Sequence, residues 1–256
     1  MKRIRLSANR WIIYLSCLVA IALFTLSGPI AQPQAYHDFA DSRVILGVSN
    51  FWNVMSNLGF LVIGAWGLLA DWRNRLVHDN DSDYPVYSIF FAGVLLTCFG
   101  SSWYHLNPGN TSLVWDRLPM TIGFMALTVG LLSEFLGRAL QKRLLYPLLL
   151  AGFASVIYWH FSEQAGQGDL RPYLLVQFLP LLIIPLVALT GSSRYTCTID
   201  LIAVIGFYAL AKLAELLDMQ IYQALGVISG HSLKHLLAAL AAGMVLRMLW
   251  RRRALN

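Results

Sequence analysis

Residues 231–253 read HSLKHLLAALAAGMVLRMLWRRR. The segment opens on two histidines, runs apolar from Leu236 to Trp250 with Arg247 the one charge, and closes on Arg251, Arg252 and Arg253. An apolar run of about 20 residues is what an α-helix needs to cross the hydrocarbon core of a bilayer. Lys and Arg clustered at one end of such a run mark its cytoplasmic side. His231 and His235, four residues apart, fall on the same helical face. The segment therefore reads as a membrane helix with a matched pair of imidazoles at its outer end.

The rest of the chain repeats the pattern. Its 256 residues are 57% hydrophobic and 12% charged, where a soluble domain carries about 25% charged residues. Apolar runs recur near 11–31, 51–71, 86–105, 117–137, 144–162, 172–190, 198–217 and 231–250, about eight spans in all. A membrane barrel would show short alternating segments between turns instead. The expected fold class is an all-α polytopic membrane protein. No internal repeat is visible, which counts against a transporter built on inverted repeats. The net charge of +6 belongs to cytoplasmic loops. No basic surface segment interleaved with aromatics points to nucleic acid. Cys17, Cys98 and Cys197 form no C-x-x-C pair, so they imply neither a disulfide framework nor a zinc ribbon.

The N-terminus, MKRIRLSANR, precedes an apolar stretch from Trp11 to Ala31. Small residues at Ala31 and Ala35 would suit signal cleavage, but the stretch is long for a signal peptide. An uncleaved first helix is favoured. The expected organisation is 1–35 as basic N-terminus and extra helix, 36–250 as a seven-helix domain, and 251–256 as a basic tail. Arg73 and Arg75, Arg138 with Lys142 and Arg143, Arg194, and the C-terminal arginines all fall on one side in an eight-helix model. That side is cytoplasmic by the charge rule, which places both termini there. The compact spans suit a bacterial inner membrane, with the opposite end periplasmic.

Ionisable groups at membrane depth are costly and mark function. The third span ends outside at GSSWYH with His105. The fourth begins outside at WDR with Asp116. The eighth begins at GHSLKH with His231 and His235. Three histidines and one aspartate from three helices thus share one end of the bundle. Three neutral imidazoles with one open position form the ligand set of a catalytic zinc. Such a metal lowers the pKa of its bound water and polarises a carbonyl. Asp116 is placed to take the proton of that water. Ser101, four residues before His105, is placed to hydrogen-bond the water or the developing oxyanion. Taken singly, each has an ordinary alternative: an interfacial histidine, a helix N-cap, a packing serine. Their shared depth favours the metal site.

The pattern Ser101-x-x-x-His105, Asp116, then His231-x-x-x-His235 resembles the alkaline ceramidases and their wider superfamily of seven-helix membrane hydrolases, which includes the adiponectin and progestin receptors. The likeness runs from about Asp38 to Leu249. SNFWNVMSNLGF at 49–60 looks like the first-helix signature of the ceramidase branch. The resemblance implies a seven-helix ceramidase-like bundle plus one extra N-terminal helix. It implies zinc on His105, His231 and His235, with Ser101 and Asp116 beside the zinc-bound water that attacks the amide carbonyl of a ceramide. The products would be a long-chain base and a fatty acid, and the partners would be the bilayer and a membrane lipid substrate. Relatives also carry a calcium site built from oxygen ligands. Asp38, Asp41 and Asn50 are the matching positions, although Arg43 stands where a ligand is expected and Asn50 replaces a carboxylate.

Two further polar groups stand out. The outer loop YWHFSEQAGQGDLRPY at 158–173 has His160, Glu163, Asp169 and Arg171 available for a lipid headgroup, or serves as an ordinary interfacial loop. Lys212 and Glu215, at i and i+3 in the seventh span, permit a buried ion pair. The competing functional classes are a receptor or sensor with structural zinc, and a transporter.

Overall fold

The computed structural model describes residues 2–78, 84–190 and 193–255. The chain folds as helices α1 (Lys2–Leu26), α2 (Phe51–Met55), α3 (Leu58–Trp72), α4 (Val86–Leu106), α5 (Asn110–Leu136), α6 (Ala139–Gln164), α7 (Arg171–Thr190), α8 (Asp200–Leu216), α9 (Asp218–Leu225) and α10 (Gly230–Arg251). It is an all-α polytopic membrane protein. Among the described residues six helical stretches are long and apolar enough to span a bilayer, α2 and α3 together counting as one, from Phe51 to Trp72. A helix satisfies its own backbone polar groups, which is why a chain this apolar resolves into helices.

The expected first and seventh spans are both helical. Among the described side chains α1 has an apolar stretch from Leu15 to Leu26. α8 has 17 residues and breaks at Leu217, before the polar start of α9. The basic side chains at the N-terminus, residues 2–10, lie outside the described ones.

α5 is the axis of the bundle and packs against α4, α6 and α7. It begins at Asn110, not near residue 117 as hydropathy implied. Polar contacts explain the earlier start: Asn110 Oδ1 meets His37 Nε2 at 2.9 Å, and Ser112 Oγ donates to the Gly109 carbonyl at 3.0 Å. Asp116 is therefore buried six residues inside the helix, about 9 Å from its start, and is not at the terminus. Small residues let the neighbours close in, as in membrane helix packing generally. A Cβ on Gly100 would overlap the Trp115 carbonyl, so α4 and α5 touch backbone to backbone beside the site. A Cβ on Gly230 would overlap the Ala214 carbonyl, which seats the start of α10 on α8.

Large side chains such as Leu96, Phe99 and Trp103 on α4, and Leu150, Phe153 and Phe161 on α6, face outward, as lipid contact requires. At the inner end, Arg252 is drawn into the bundle and does not extend as part of a solvated tail. It pairs with Glu134 at 2.7 Å and lies 4.1 Å from the centre of the Tyr195 ring.

Candidate metal centre

His105, His231 and His235 are buried, and each offers a ring nitrogen within 4.8 Å of the others, so the trio forms a group that can hold a metal ion. α4 carries His105 in its last turn, and α10 carries the other two in its first two turns. The start of α10 is fixed by the Ser229 hydroxyl, which accepts from the Ser232 backbone N–H at 3.2 Å, and by Asp218, which accepts from the His231 backbone N–H at 2.7 Å. Ser and Asp are the usual acceptors for free N–H groups at a helix start.

His105 Nε2 stands 3.3 Å from His235 Nε2. Two nitrogens on a tetrahedral metal with bonds of about 2.0–2.1 Å are about 3.3–3.4 Å apart. The pair already has that edge length. Ser56 fixes the ring of His235. Its hydroxyl donates to the Asn53 carbonyl at 3.1 Å and stands 2.8 Å from His235 Nδ1, so it accepts the Nδ1 proton and leaves the Nε2 lone pair free. This is the outer-shell arrangement that orients histidine ligands. His231 Nε2 accepts from Lys234 Nζ at 2.9 Å, a contact that ligation through this nitrogen would replace. The donor chemistry and the spacing fit a divalent metal that favours nitrogen ligands.

The stretch FWNVMSN, which spans α2 and its break from α3, supplies the support. Asn53 Oδ1 accepts from the Ser232 hydroxyl at 2.6 Å, and Asn57 Nδ2 donates to the Asn53 carbonyl at 3.0 Å. Phe39 roofs the trio, its ring centre 4.7 Å from those of both His105 and His231. Ser101 and Asp116 are buried and hydrogen-bonded to each other. Both line a cavity of about 320 Å³ together with His235. Along α10 the cavity wall continues to Val245, about 15 Å of helix, and Phe90, Phe124 and Leu127 are among its apolar walls.

Lys212 and Glu215 pair at 2.8 Å, as their spacing implied. Lys234 reaches the same carboxylate at 3.0 Å, and the Tyr36 hydroxyl donates to it at 3.0 Å. Burial, with the Glu215 charge next in effect, raises the Tyr36 phenol well above its usual pKa, so it stays protonated as a donor.

The side chains of Asp41 and Asn50 take other partners. Asp41 binds Arg43 through both oxygens, at 2.8 and 2.6 Å, which holds its pKa below the usual carboxylate range and satisfies it without a cation. Asn50 Nδ2 donates to the His105 carbonyl at 2.8 Å, and the Asp38 backbone N–H closes the turn at Gln34–His37. In the outer loop, Glu163 accepts from Trp159 Nε1 and from the Gln32 backbone, while Asp169 pairs with Arg171 at 2.8 Å. These groups organise the loop itself.

The sequence reading did not assign roles to Lys234, Phe39, Ser56 or Asn53. Lys234 carried a signal, since a charge inside an apolar helix is costly. Phe39 carried none. No protein-family model matches the chain, and no curated protein matches it.

Proposed function

We propose that the protein is a zinc-dependent membrane hydrolase that cleaves the amide bond of a ceramide or another N-acyl lipid, releasing an amine and a fatty acid. The observation that carries this reading is the 3.3 Å approach of His105 Nε2 and His235 Nε2, with the Ser101–Asp116 pair in the same apolar-walled cavity. Zinc on three neutral imidazoles would acidify a water and polarise a carbonyl.

The chain's own groups complete the chemistry. The acyl chain lies along the apolar wall toward Val245, which brings the amide carbonyl to the histidine end. Asp116 takes the proton of the attacking water and returns it to the departing nitrogen, the usual service of a general base. Ser101 donates to the developing oxyanion. Phe39 and the packed rings above the trio keep bulk water out, which strengthens each of these interactions. Calcium has no part in this proposal, because Arg43 already neutralises Asp41. The site faces the non-cytoplasmic side, by the distribution of Lys and Arg.

The test is fatty-acid release from N-acyl lipids by zinc-loaded protein in nanodiscs. Wild type releases acid. Asp116→Asn keeps its zinc and loses about 10²–10⁴-fold in turnover. Full turnover by Asp116→Asn, or none by zinc-replete wild type across ceramide and N-acyl amino acid lipids, contradicts the reading.

A further inference from the structure

Arg117 is a buried cation that forms no direct ion pair among the described residues. It is 4% exposed. Its guanidinium carbon lies 4.1 Å from the centre of the Trp159 ring and 4.5 Å from that of Tyr173. Nη2 donates to Gln32 Oε1 at 2.5 Å, and Nη1 has no hydrogen-bond partner. Among the described residues no carboxylate pairs with it. Its neighbour Asp116 is turned to Ser101, and Glu163 is held by Trp159 and the Gln32 backbone. Other buried cations of this bundle are paired: Arg252 with Glu134, and Lys234 with Glu215. Burying a charge without a direct ion pair destabilises a fold, so a guanidinium held by one amide and two aromatic rings calls for an explanation.

Arg117 lines the same cavity as Asp116 and His235. Arg117, Lys212 and Lys234 set three cations there against the two carboxylates Asp116 and Glu215, before any metal is bound. Position then assigns the missing anion. The scissile carbonyl belongs at the histidines, and the acyl chain belongs along the apolar wall. Gln32, Trp159 and Tyr173 surround Arg117 from the chain before α2, the outer end of α6 and the outer start of α7. That is the side on which the amine half of the lipid must lie.

We propose that Arg117, oriented by Gln32 and flanked by Trp159 and Tyr173, is the subsite for an oxyanion on the lipid headgroup, a carboxylate or a phosphate. The preferred substrate is then an anionic N-acyl lipid, such as an N-acyl amino acid, and not one with a neutral head. A guanidinium with a free N–H suits such an oxyanion, since charge-assisted hydrogen bonds are the strong ones. This inference rests on the hydrolase reading for the word substrate, but not for binding.

The test uses calorimetric binding to zinc-loaded protein in detergent, with N-palmitoylglycine, N-palmitoylglycinamide and palmitate as probes. The first two share chain and amide and differ by the charge. Wild type binds the acid at least tenfold tighter than the glycinamide. Arg117→Gln removes that preference, while Arg117→Lys keeps part of it. Equal binding of acid and glycinamide by wild type overturns the proposal, and needs no variant to fold. So does a preference that survives Arg117→Gln. Binding of palmitate that depends on Arg117, with no preference for the acylglycine, assigns the anion to the released product and overturns the headgroup assignment. An acid preference in a protein that cleaves no N-acyl lipid overturns the hydrolase reading alone, and cleavage of both amides with equal affinity overturns the subsite alone.

Discussion

His235 Nδ1 and the Ser56 hydroxyl stand 2.8 Å apart, across the joint between α10 and the α2–α3 break. Because Ser56 also donates to the Asn53 carbonyl, it can only accept from His235, which fixes the tautomer with its free lone pair at Nε2. Ser56→Ala removes that constraint without touching a ligand. The expected result is a 10–100-fold loss of zinc affinity, the usual effect of losing an outer-shell partner, with the helical fold retained. Chelator competition monitored alongside circular dichroism reads both. Unchanged affinity would mean that packing alone orients the ring.

The contact between Gly100 and the Trp115 carbonyl sets the distance between His105 on α4 and Asp116 on α5. Gly100→Val must push the helices apart or strain the backbone. Overpacking of this kind costs about 1–3 kcal/mol. Thermal unfolding in detergent should show a lower Tm, and fatty-acid release should fall by more than the loss of folded protein explains. A variant as stable and active as wild type would show that the two helices have room to separate.

Asp169 gives a pH prediction. Hydrogen bonds from Arg171 hold its carboxyl at about 2 in the fold, below the ordinary value of about 3.9. A lowered pKa adds stability above the unfolded value, and the gain fades as pH falls through the folded one. Asp169→Asn should therefore lower Tm by about 2–4 °C at pH 7, the effect of about 1 kcal/mol once solvent around the partly exposed Arg171 is allowed for. The gap to wild type should hold from pH 7 to about pH 5 and close toward pH 2. A gap that persists at pH 2 would place the effect of the substitution in packing.

The sequence read most easily where a bilayer leaves few choices. Hydropathy located the helices because a spanning segment must be apolar and must bond its own backbone. The distribution of Lys and Arg brought His105, Asp116 and the histidine pair to one end before any contact was known, and the structure joins those three histidines. Hydropathy failed at helix starts. Residues 110–116 are polar enough to read as loop, yet side-chain contacts such as that of Asn110 with His37 make them helix. It also gave α8 full spanning length, where the helix has 17 residues and breaks at Leu217. The groups that position the ligands were harder still. Ser56 and Asn53 lie 179 residues from their partners His235 and Ser232, and no local pattern encodes such a pair. Phe39 reads as an ordinary loop aromatic until its ring is seen over His105 and His231.

The most direct measurement is elemental analysis of the purified protein beside the His231→Ala, His235→Ala double variant. About one zinc per chain in wild type, lost from a variant that remains helical, is the predicted result. A folded wild-type protein that was never exposed to chelator and contains no zinc would contradict the account.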